Sequence, residues 1–268
     1  ALPIFDGVED VYNGTVDDYH NFIVKICDDS SEVFNIERGV VTPQCGEQPL
    51  EDGELCCLVE TVPNRCTNED GFFDLNTWLR ACEYATFYAS TVTLLPTHHS
   101  VTNRVMARNR RIGVSIMGYT TWVAREEQYN VINYLREGYK TVRQFNRHYN
   151  AEAGIPESIR VTTVKPGGTT PKLAGEISGM SFKNFEFMIR RHRQAADSSL
   201  SQALIDAGVP YEKDVVSANT LVFEFPLHMQ DSKEAFKASL WEQAQNLITL
   251  QREWSDNAVS NTLNFKPS

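Results

Sequence analysis

Short runs of β-branched and aromatic residues alternate with helical stretches in the second half of this sequence. This alternation limits the possible fold classes more than any other pattern does. Residues 159–164 (IRVTTV), 185–189 and 220–225 (TLVFEF) have the composition of strands. A helix is predicted over 198–207, where Gly208 ends it. Strands that alternate with helices favour an α/β fold with parallel strands, whose functional groups collect in loops after the strands.

Longer helical stretches are predicted in the middle of the chain and at its end. Asp74 is expected to cap a helix over 75–95, which Pro96 stops. Two further helical stretches cover 101–123 and 126–149. The last predicted helix is capped by Ser232 and carries Phe236, Leu240, Leu247 and Trp254 on one apolar face.

Charge and cysteine content exclude several functional classes. The 268 residues carry 25 Lys and Arg against 35 Asp and Glu, a net charge of −10. This balance argues against a nucleic-acid-binding protein, because phosphate binding needs clustered basic residues. No apolar run approaches the ~20 residues of a membrane-spanning helix. Six cysteines without a CxxC pair fit neither a disulfide scaffold nor a structural zinc site. We expect a cytoplasmic protein without a bound metal, in which a cysteine has a chemical role.

A loop rich in glycine and proline, over residues 40–61, holds the first candidate site. Cys45 lies two residues before Glu47, so a thiol and an acid–base group could meet one small substrate. Cys56 follows eleven residues after Cys45, and a turn predicted at Asp52–Gly53 could return it to the same pocket. Long loops inside a compact domain are usually functional. The alternative is that each cysteine is a small buried hydrophobic residue.

A second candidate site follows the strand predicted at 159–164. Its glycines allow main-chain N–H groups to approach an anion, and its threonine hydroxyls add donors. The GK[ST] ending of a Walker motif is absent, so a flexible surface turn is the alternative to a phosphate-binding loop. The residues of this loop are Pro166, Gly167, Gly168, Thr169 and Thr170.

Two basic clusters, 108–111 and 190–193, and the pair His98–His99 carry weaker signals. Basic clusters of this kind most often form a solvated surface or a hub of internal ion pairs. Adjacent histidines point in different directions and rarely bind one metal together. Structural or surface roles are therefore favoured for all of these residues.

Four segments carry a family resemblance: CGEQPLEDGELC at 45–56, RNRRIGVSIMGY at 108–119, VKPGGTTPKLAGEISG at 164–179 and WSDNAVSNT at 254–262. In this order they resemble the large catalytic chain of the ribonucleotide reductases. The match is to the adenosylcobalamin-dependent, monomeric type that reduces ribonucleoside triphosphates. It extends over most of the chain after residue 36.

The resemblance implies a ten-stranded α/β barrel with a finger loop, here about residues 40–60, pushed through its centre. The chain would be a single partial catalytic domain over 1–268, the second half of that barrel. The amino-terminal half-barrel, the effector region and the cysteine-bearing redox tail of the family would lie outside it. We therefore expect a fragment with little or no turnover by itself, and a first residue, Ala1, that is not methionine agrees with this expectation.

The resemblance also implies roles for individual residues. Cys45 corresponds to the cysteine whose thiyl radical abstracts the ribose 3′-hydrogen, and Glu47 to the glutamate that takes the 3′-hydroxyl proton. Cys56 corresponds to one half of the reducing dithiol, whereas Cys57 is expected to be structural. The loop at 166–170 would hold the substrate phosphates. The implied cofactor is adenosylcobalamin, the implied reductant is a thioredoxin-type protein, and the effectors of the intact protein are deoxynucleotides. The further residues expected at the substrate are Pro43, Gln44 and Gly46.

Two departures from the family pattern leave other functions open. The family has Asn-Pro before the radical cysteine, whereas this chain has Pro43-Gln44. The family's second redox cysteine lies well upstream, where this chain offers only Cys27, which is too near the loop. A non-catalytic nucleotide-binding protein of the same fold is therefore one alternative. A cysteine hydrolase in which Cys45 works with His98 or His99 is another.

Overall fold

A computed structural model describes residues 21–25, 39–43, 46–229 and 232–264, with side chains from residue 46 onwards. The strands β1 (Asn21–Lys25) and β2 (Gly39–Pro43) pair antiparallel. The further strands are β3 (Leu58–Thr61), β4 (Gly113–Ile116), β5 (Phe187–Ala195), β6 (Tyr211–Lys213) and β7 (Thr220–His228). The α-helices are α1 (Leu75–Val92), α2 (Ser100–Asn109), α3 (Tyr119–Arg125), α4 (Gln128–Glu152), α5 (Thr170–Ala174), α6 (Ser199–Asp206) and α7 (Leu240–Glu253).

A layer of parallel segments forms the centre of the described fold. β3 and β4 pair in parallel. Parallel bridges extend the layer from Val114 to Thr162 and from Val164 to Val259. The strand predicted over 159–164 is therefore an extended segment beside β4. The predicted α/β arrangement with parallel strands is present in this layer, and the described residues do not close it into a barrel.

The second sheet is antiparallel, which corrects the prediction of parallel strands for the runs at 185–189 and 220–225. Its strand order is β5–β7–β6, and β7 pairs antiparallel with both neighbours. The side chains of β5 alternate between exposed and half-buried, which is typical of an antiparallel sheet with one solvated face. An alternation of strands and helices does not specify strand direction, because direction depends on the side from which the chain returns to the sheet.

The helix predicted over 101–123 is wrong, because two shorter helices and a buried strand occupy that stretch. α2 ends at Arg110, which has a left-handed φ of 47°. β4 follows, and a Cβ on Gly113 would lie 2.5 Å from a side chain of β3, so this close approach requires glycine. Gly118, with φ 69°, then turns the chain into α3. The two glycines that weakened the helical pattern mark the ends of the strand.

The remaining predicted helices are confirmed, apart from the last. Asp74 caps α1, which ends about one turn before the predicted boundary, and its carboxylate accepts a hydrogen bond (3.1 Å) from the Asn76 N–H. α4 occupies the predicted stretch at 126–149. Ser198 caps α6, and Gly208 follows its end with φ 73°. Among the described helices, none has the length and apolar character needed to cross a membrane.

The last helix begins later than the sequence pattern indicated. α7 starts after Ser239, whose hydroxyl accepts a hydrogen bond (3.1 Å) from the main chain of the first turn. Ser232 instead precedes a separate 3-10 turn. The predicted apolar face is wrong at Phe236 and Leu240, which are exposed, and right at Trp254, which is buried. Serine is an equally good cap at either position, so packing selects between them.

Tryptophan side chains from three helices form the centre of the core. Trp78 of α1, Trp122 of α3 and Trp254 at the end of α7 are almost fully buried. The ring centroid of Trp78 lies 5.1 Å from that of Trp122 and 5.7 Å from that of Trp254. Gly138 of α4 permits this packing, because a Cβ there would lie 2.4 Å from the Trp78 ring. The core thereby holds the helices against the parallel layer, whose edge carries the candidate site.

Candidate active site

The loop between β2 and β3 holds the residues predicted from the cysteine pattern. It is the part of the predicted finger loop, about 40–60, that lies outside these strands, and it is called the finger loop below. Pro43 ends β2. Gln44 and Cys45 lie outside the described residues, as does Cys27. Gly46 is half-buried with a positive φ of 43°. The positions of the predicted radical cysteine and of its predicted neighbour Gln44 therefore remain predictions from the sequence.

The turn predicted at Asp52–Gly53 is present, and a buried ion pair ties it to the rest of the protein. Gly53 has φ 76°. Beside it, the buried Glu54 accepts a hydrogen bond (3.0 Å) from Arg111 Nε. The Arg111 guanidinium also donates to Asn257 Oδ1 at 3.1 Å. At Arg111 the basic cluster over 108–111 is therefore a hub of internal interactions, which is one of the two roles favoured for it.

Glu47 is fixed to the parallel layer by its main chain. Its carbonyl oxygen accepts hydrogen bonds from Thr163 Oγ1 (2.7 Å) and from the Ala258 N–H (3.1 Å). The side chain is buried, and Oε2 has no hydrogen-bond partner within the described residues. Burial raises the pKa of the Glu47 carboxyl, whereas its own main-chain N–H and the Lys165 ammonium act in the opposite direction. A buried carboxyl with a raised pKa and an unoccupied oxygen is suited to proton transfer.

The adjacent residues Cys56 and Cys57 lie in different environments. Cys56 is exposed, whereas Cys57 is buried in the core. Burial raises the pKa of the Cys57 thiol, and the Glu54 carboxylate acts in the same direction. A thiol of this kind is protonated and shielded from reagents, in agreement with the structural role predicted for Cys57. The exposed Cys56 is accessible for exchange with an outside thiol.

The predicted phosphate loop directly follows the parallel segment that contains Val164. Within the described residues, the main-chain N–H groups of Gly167, Gly168, Thr169 and Thr170 donate no hydrogen bond. Gly168 has open space where a Cβ would stand. The short helix α5 begins at Thr170 and holds the end of the loop. Gly167 is buried, whereas Gly168, Thr169 and Thr170 are exposed, so the loop offers three consecutive N–H donors at an open surface.

Lys165 joins the phosphate loop to the finger loop. Its Nζ lies 3.3 Å from Glu60 Oε2 on β3, and its main-chain N–H donates to Ser115 Oγ on β4 at 3.0 Å. Its ammonium also acts electrostatically on Glu47. The two loops predicted independently from the sequence thus meet at one edge of the parallel layer, as expected for loops in an α/β fold.

The histidine pair and the second basic cluster lie at the surface. His98 and His99 are exposed directly before α2, with ring centroids 4.1 Å apart. On β5, Arg191 pairs with Glu212 and Glu224 across the antiparallel sheet. No group of three metal-ligating side chains occurs in the part of the chain that the structure describes. These positions agree with surface roles; Cys45, the partner of the histidines in the cysteine hydrolase alternative, lies outside the described residues.

Two buried polar residues at this edge were missed by the sequence reasoning. Glu60 has a side chain that is 1% exposed. Gln48 is buried, and neither atom of its amide group finds a hydrogen-bond partner among the described residues. The sequence offered one signal for Glu60, which is a charged residue inside the strand-like run LVET. A carboxylate is rarely fully buried unless it is paired, so such a residue indicates a cationic partner nearby.

Sequence comparison places the chain among known proteins. No protein-family model matches it. Over 224 residues it is 38% identical to the "Probable adenosylcobalamin-dependent ribonucleoside-triphosphate reductase" of Dictyostelium discoideum. Over 225 residues it is 37% identical to the adenosylcobalamin-dependent ribonucleoside-triphosphate reductase of Euglena gracilis, and each alignment covers 83% of this chain. The chain is homologous to the ribonucleotide reductases.

A solved structure agrees with this relationship. The crystal structure of a B12-dependent, class II ribonucleotide reductase matches with a TM-score of 0.67 and 32% identity over 82% of this chain. The resemblance that the four sequence segments predicted is thereby confirmed. The chain spans about a third of the length of these ribonucleotide reductases, namely 29% and 30% of the two named relatives and 34% of the crystallised chain.

Proposed function

We propose that this chain carries part of the active site of an adenosylcobalamin-dependent ribonucleoside-triphosphate reductase, which makes 2′-deoxyribonucleotides for DNA synthesis. The observation that carries the proposal is the meeting of a buried carboxyl, Glu47, with an open glycine loop at one edge of the parallel layer. The names of the homologues supply the reaction class. The layer would be part of the ten-stranded barrel that the resemblance implies, and the chain one partial catalytic domain.

The phosphate loop would bind the substrate triphosphate mainly through its main chain. The N–H groups of the exposed residues 168–170 have no other acceptor within the described residues, so they are available to phosphate oxygens. The hydroxyls of Thr169 and Thr170 would add donors. Main-chain donors allow anion binding without a basic cluster, which suits a chain with a net charge of −10.

The finger loop would supply the reacting groups. Cys45, as a thiyl radical, would abstract the ribose 3′-hydrogen, and Glu47 would accept the 3′-hydroxyl proton, which eases loss of the 2′-hydroxyl as water. Replacing that C–O bond by a C–H bond consumes two electrons and two protons. Cys56 and a second cysteine would deliver them as they form a disulfide, and a thioredoxin-type reductant would restore the dithiol. Pro43, Gln44 and Gly46 would line the substrate beside Cys45.

The cofactor is inferred from the homologues. When bound, adenosylcobalamin would supply the radical that generates the thiyl on Cys45. Two cavities, of about 600 Å³ beside Phe185 and Leu240 and about 250 Å³ beside Thr120 and Glu242, are lined by neither Glu47 nor the phosphate loop. Neither of these two cavities therefore borders the candidate site. Deoxynucleotide effectors would act on the intact protein.

Glu47→Gln tests the proposed reaction. We expect deoxynucleotide formation by the full-length gene product, assayed with adenosylcobalamin and a dithiol, to fall by about 10²–10⁴-fold, because an amide cannot accept the proton. Binding of a ribonucleoside triphosphate, measured by equilibrium dialysis, should change little. Glu137→Gln, at an exposed position of α4, is the matched control. Undiminished turnover in the Glu47 variant would remove this residue from the proton-accepting role.

The wild-type protein distinguishes the proposal from its main alternative. Triphosphate binding without deoxynucleotide formation, under conditions where a known adenosylcobalamin-dependent reductase is active, would favour a non-catalytic nucleotide-binding protein. The substitution of Pro43-Gln44 for the family's Asn-Pro is the sequence feature that would then explain the missing turnover.

A further inference from the structure

An ion pair between a buried carboxylate and a half-buried lysine lies beside the phosphate loop. Glu60 projects from β3 with its side chain 1% exposed, and Lys165 Nζ approaches its Oε2 to 3.3 Å. Neither Glu60 carboxylate oxygen has a hydrogen bond of good geometry within the described residues. The pair is therefore held by charge, and Lys165 immediately precedes the first residue of the loop.

The parallel layer fixes both partners of this pair. Glu60 lies opposite Ser115 in the β3–β4 register, and Ser115 Oγ accepts the main-chain N–H of Lys165 at 3.0 Å. On its other side, Glu60 contacts the loop itself, because a Cβ on Gly167 would lie 2.8 Å from Glu60 Oε1. The carboxylate thus lies between the Lys165 ammonium and the first glycine of the phosphate loop.

Lys165 interacts with two buried carboxyl groups rather than one. Its Nζ pairs with Glu60 on β3. Glu47 is attached two residues earlier on the same extended segment, where its carbonyl oxygen accepts from Thr163 Oγ1 at 2.7 Å. Burial raises the pKa of the Glu47 carboxyl, and the Lys165 ammonium acts to lower it. One ammonium cannot neutralise two buried carboxylates, so each carboxylate weakens the electrostatic attraction between Lys165 and the other. A change at Glu60 is therefore transmitted to Glu47 through Lys165.

We propose that Glu60 and Lys165 are positioning residues, which hold the phosphate loop against the layer and set how readily Glu47 takes up a proton. The proposal deepens the function proposed above and depends on it for the role of Glu47. Glu60 holds the ammonium at β3, where Nζ lies 3.3 Å from its Oε2. The pair thereby couples the loop that binds phosphate to the residue that accepts the proton.

Substitutions at the two positions have opposite expected effects. Lys165→Met leaves both carboxyls buried without their cation, so Glu47 stays protonated to higher pH and the acidic limb of the kcat/KM profile moves up by about 1 unit. Glu60→Gln frees the ammonium for Glu47, so the same limb moves down. Lys165→Arg keeps the charge and should leave the limb near its wild-type position. A purely structural role would not give shifts of opposite sign.

The pH profile of triphosphate reduction by the full-length gene product tests this coupling. Lys140→Met and Glu137→Gln, an exposed pair on α4, are the matched controls and should leave the profile unchanged. Circular dichroism identifies variants that do not fold. If Lys165→Met does not fold, the proposal is tested with Glu60→Gln, whose limb should move down, and with Lys165→Arg, whose limb should stay in place. A limb that stays in place, or moves in the same direction, in folded Lys165→Met and Glu60→Gln proteins would overturn the proposal.

A second measurement separates this proposal from the proposed function. A carboxyl ¹³C-NMR titration, with the Glu47 resonance assigned through Glu47→Gln, reports the pKa of Glu47 without turnover. Opposite shifts of that pKa in the two variants, in a wild-type protein that forms no deoxynucleotide, would retain the coupled pair and reject the reductase function. An unchanged pKa in an active protein would retain the function and reject the pair.

Discussion

At the scale of single residues, the main chain of Glu47 holds the residue in place, whereas its side chain carries the proposed chemistry. Hydrogen bonds to its carbonyl oxygen fix the residue, so its carboxyl need not be used for anchoring. Because burial raises the pKa of that carboxyl in the folded protein, the folded state binds the proton more tightly than the unfolded state does. This contribution favours folding at low pH and is lost as pH rises through the folded pKa. A small cost in stability near neutral pH is therefore expected for a residue kept ready to accept a proton.

Thiol reactivity provides a test at the same scale. Burial raises the pKa of the Cys57 and Cys66 thiols, and that of Cys82 far above its usual value. Less thiolate is then present at pH 8, so these three cysteines should resist iodoacetamide in the folded protein, whereas the exposed Cys56 is accessible to it. Peptide mapping by mass spectrometry, before and after unfolding in guanidinium, measures the order. Equal labelling rates at Cys82 and Cys56 before unfolding would contradict the described burial.

At the scale of elements, the sequence predicted a helix boundary correctly where a side chain forms a hydrogen bond with a main-chain group a few residues away. The cap at Asp74 was predicted because its carboxylate bonds an N–H group two residues away. The helix over 101–123 was not predictable in this way, since Gly113 is required by a side chain of β3 more than fifty residues earlier in the sequence. The start of α7 also depended on packing, because both Ser232 and Ser239 satisfy the local pattern.

The two candidate caps of the last helix can be compared directly. Ser239→Ala removes the hydroxyl that accepts the Glu242 N–H at 3.1 Å, and we expect a loss of about 1 kcal/mol in the free energy of unfolding. Ser232→Ala removes a contact with Thr120 and a long hydrogen bond (3.3 Å) to the Lys233 carbonyl oxygen, neither of which caps a helix, and it should cost less. Urea denaturation followed by circular dichroism gives both values. A larger loss at Ser232 would restore the helix start predicted from the sequence.

At the scale of the whole molecule, Arg111 connects three distant parts of the chain. It lies between α2 and β4, pairs with Glu54 of the finger loop, and donates to Asn257 in the segment after α7. Asn257 in turn donates to main-chain oxygens of Ile112 and Thr162. The finger loop is therefore anchored to both sides of the parallel layer by buried polar groups.

Removing this anchor should destabilise the whole fold. Arg111→Met leaves the buried Glu54 carboxylate without its cation, and we expect a loss of about 3–5 kcal/mol in the free energy of unfolding. Arg108→Met is the control, because Arg108 pairs with Glu51 at the exposed surface, where an ion pair contributes about 0–1 kcal/mol. Thermal and urea unfolding measure both. Similar losses in the two variants would show that Glu54 is not buried as described.

The amino-acid sequence by itself determined the family, the α/β character, most helix positions and the two loops of the candidate site. These features depend on the order of residues or on contacts within a few positions along the chain. Only the tertiary structure decided the direction of β5, β6 and β7, the break in the 101–123 stretch, and the meeting of Glu47, Lys165 and Glu60. Those features depend on residues far apart in sequence. Their packing, and the burial that raises the pKa of the Glu47 carboxyl, are recorded by no local pattern.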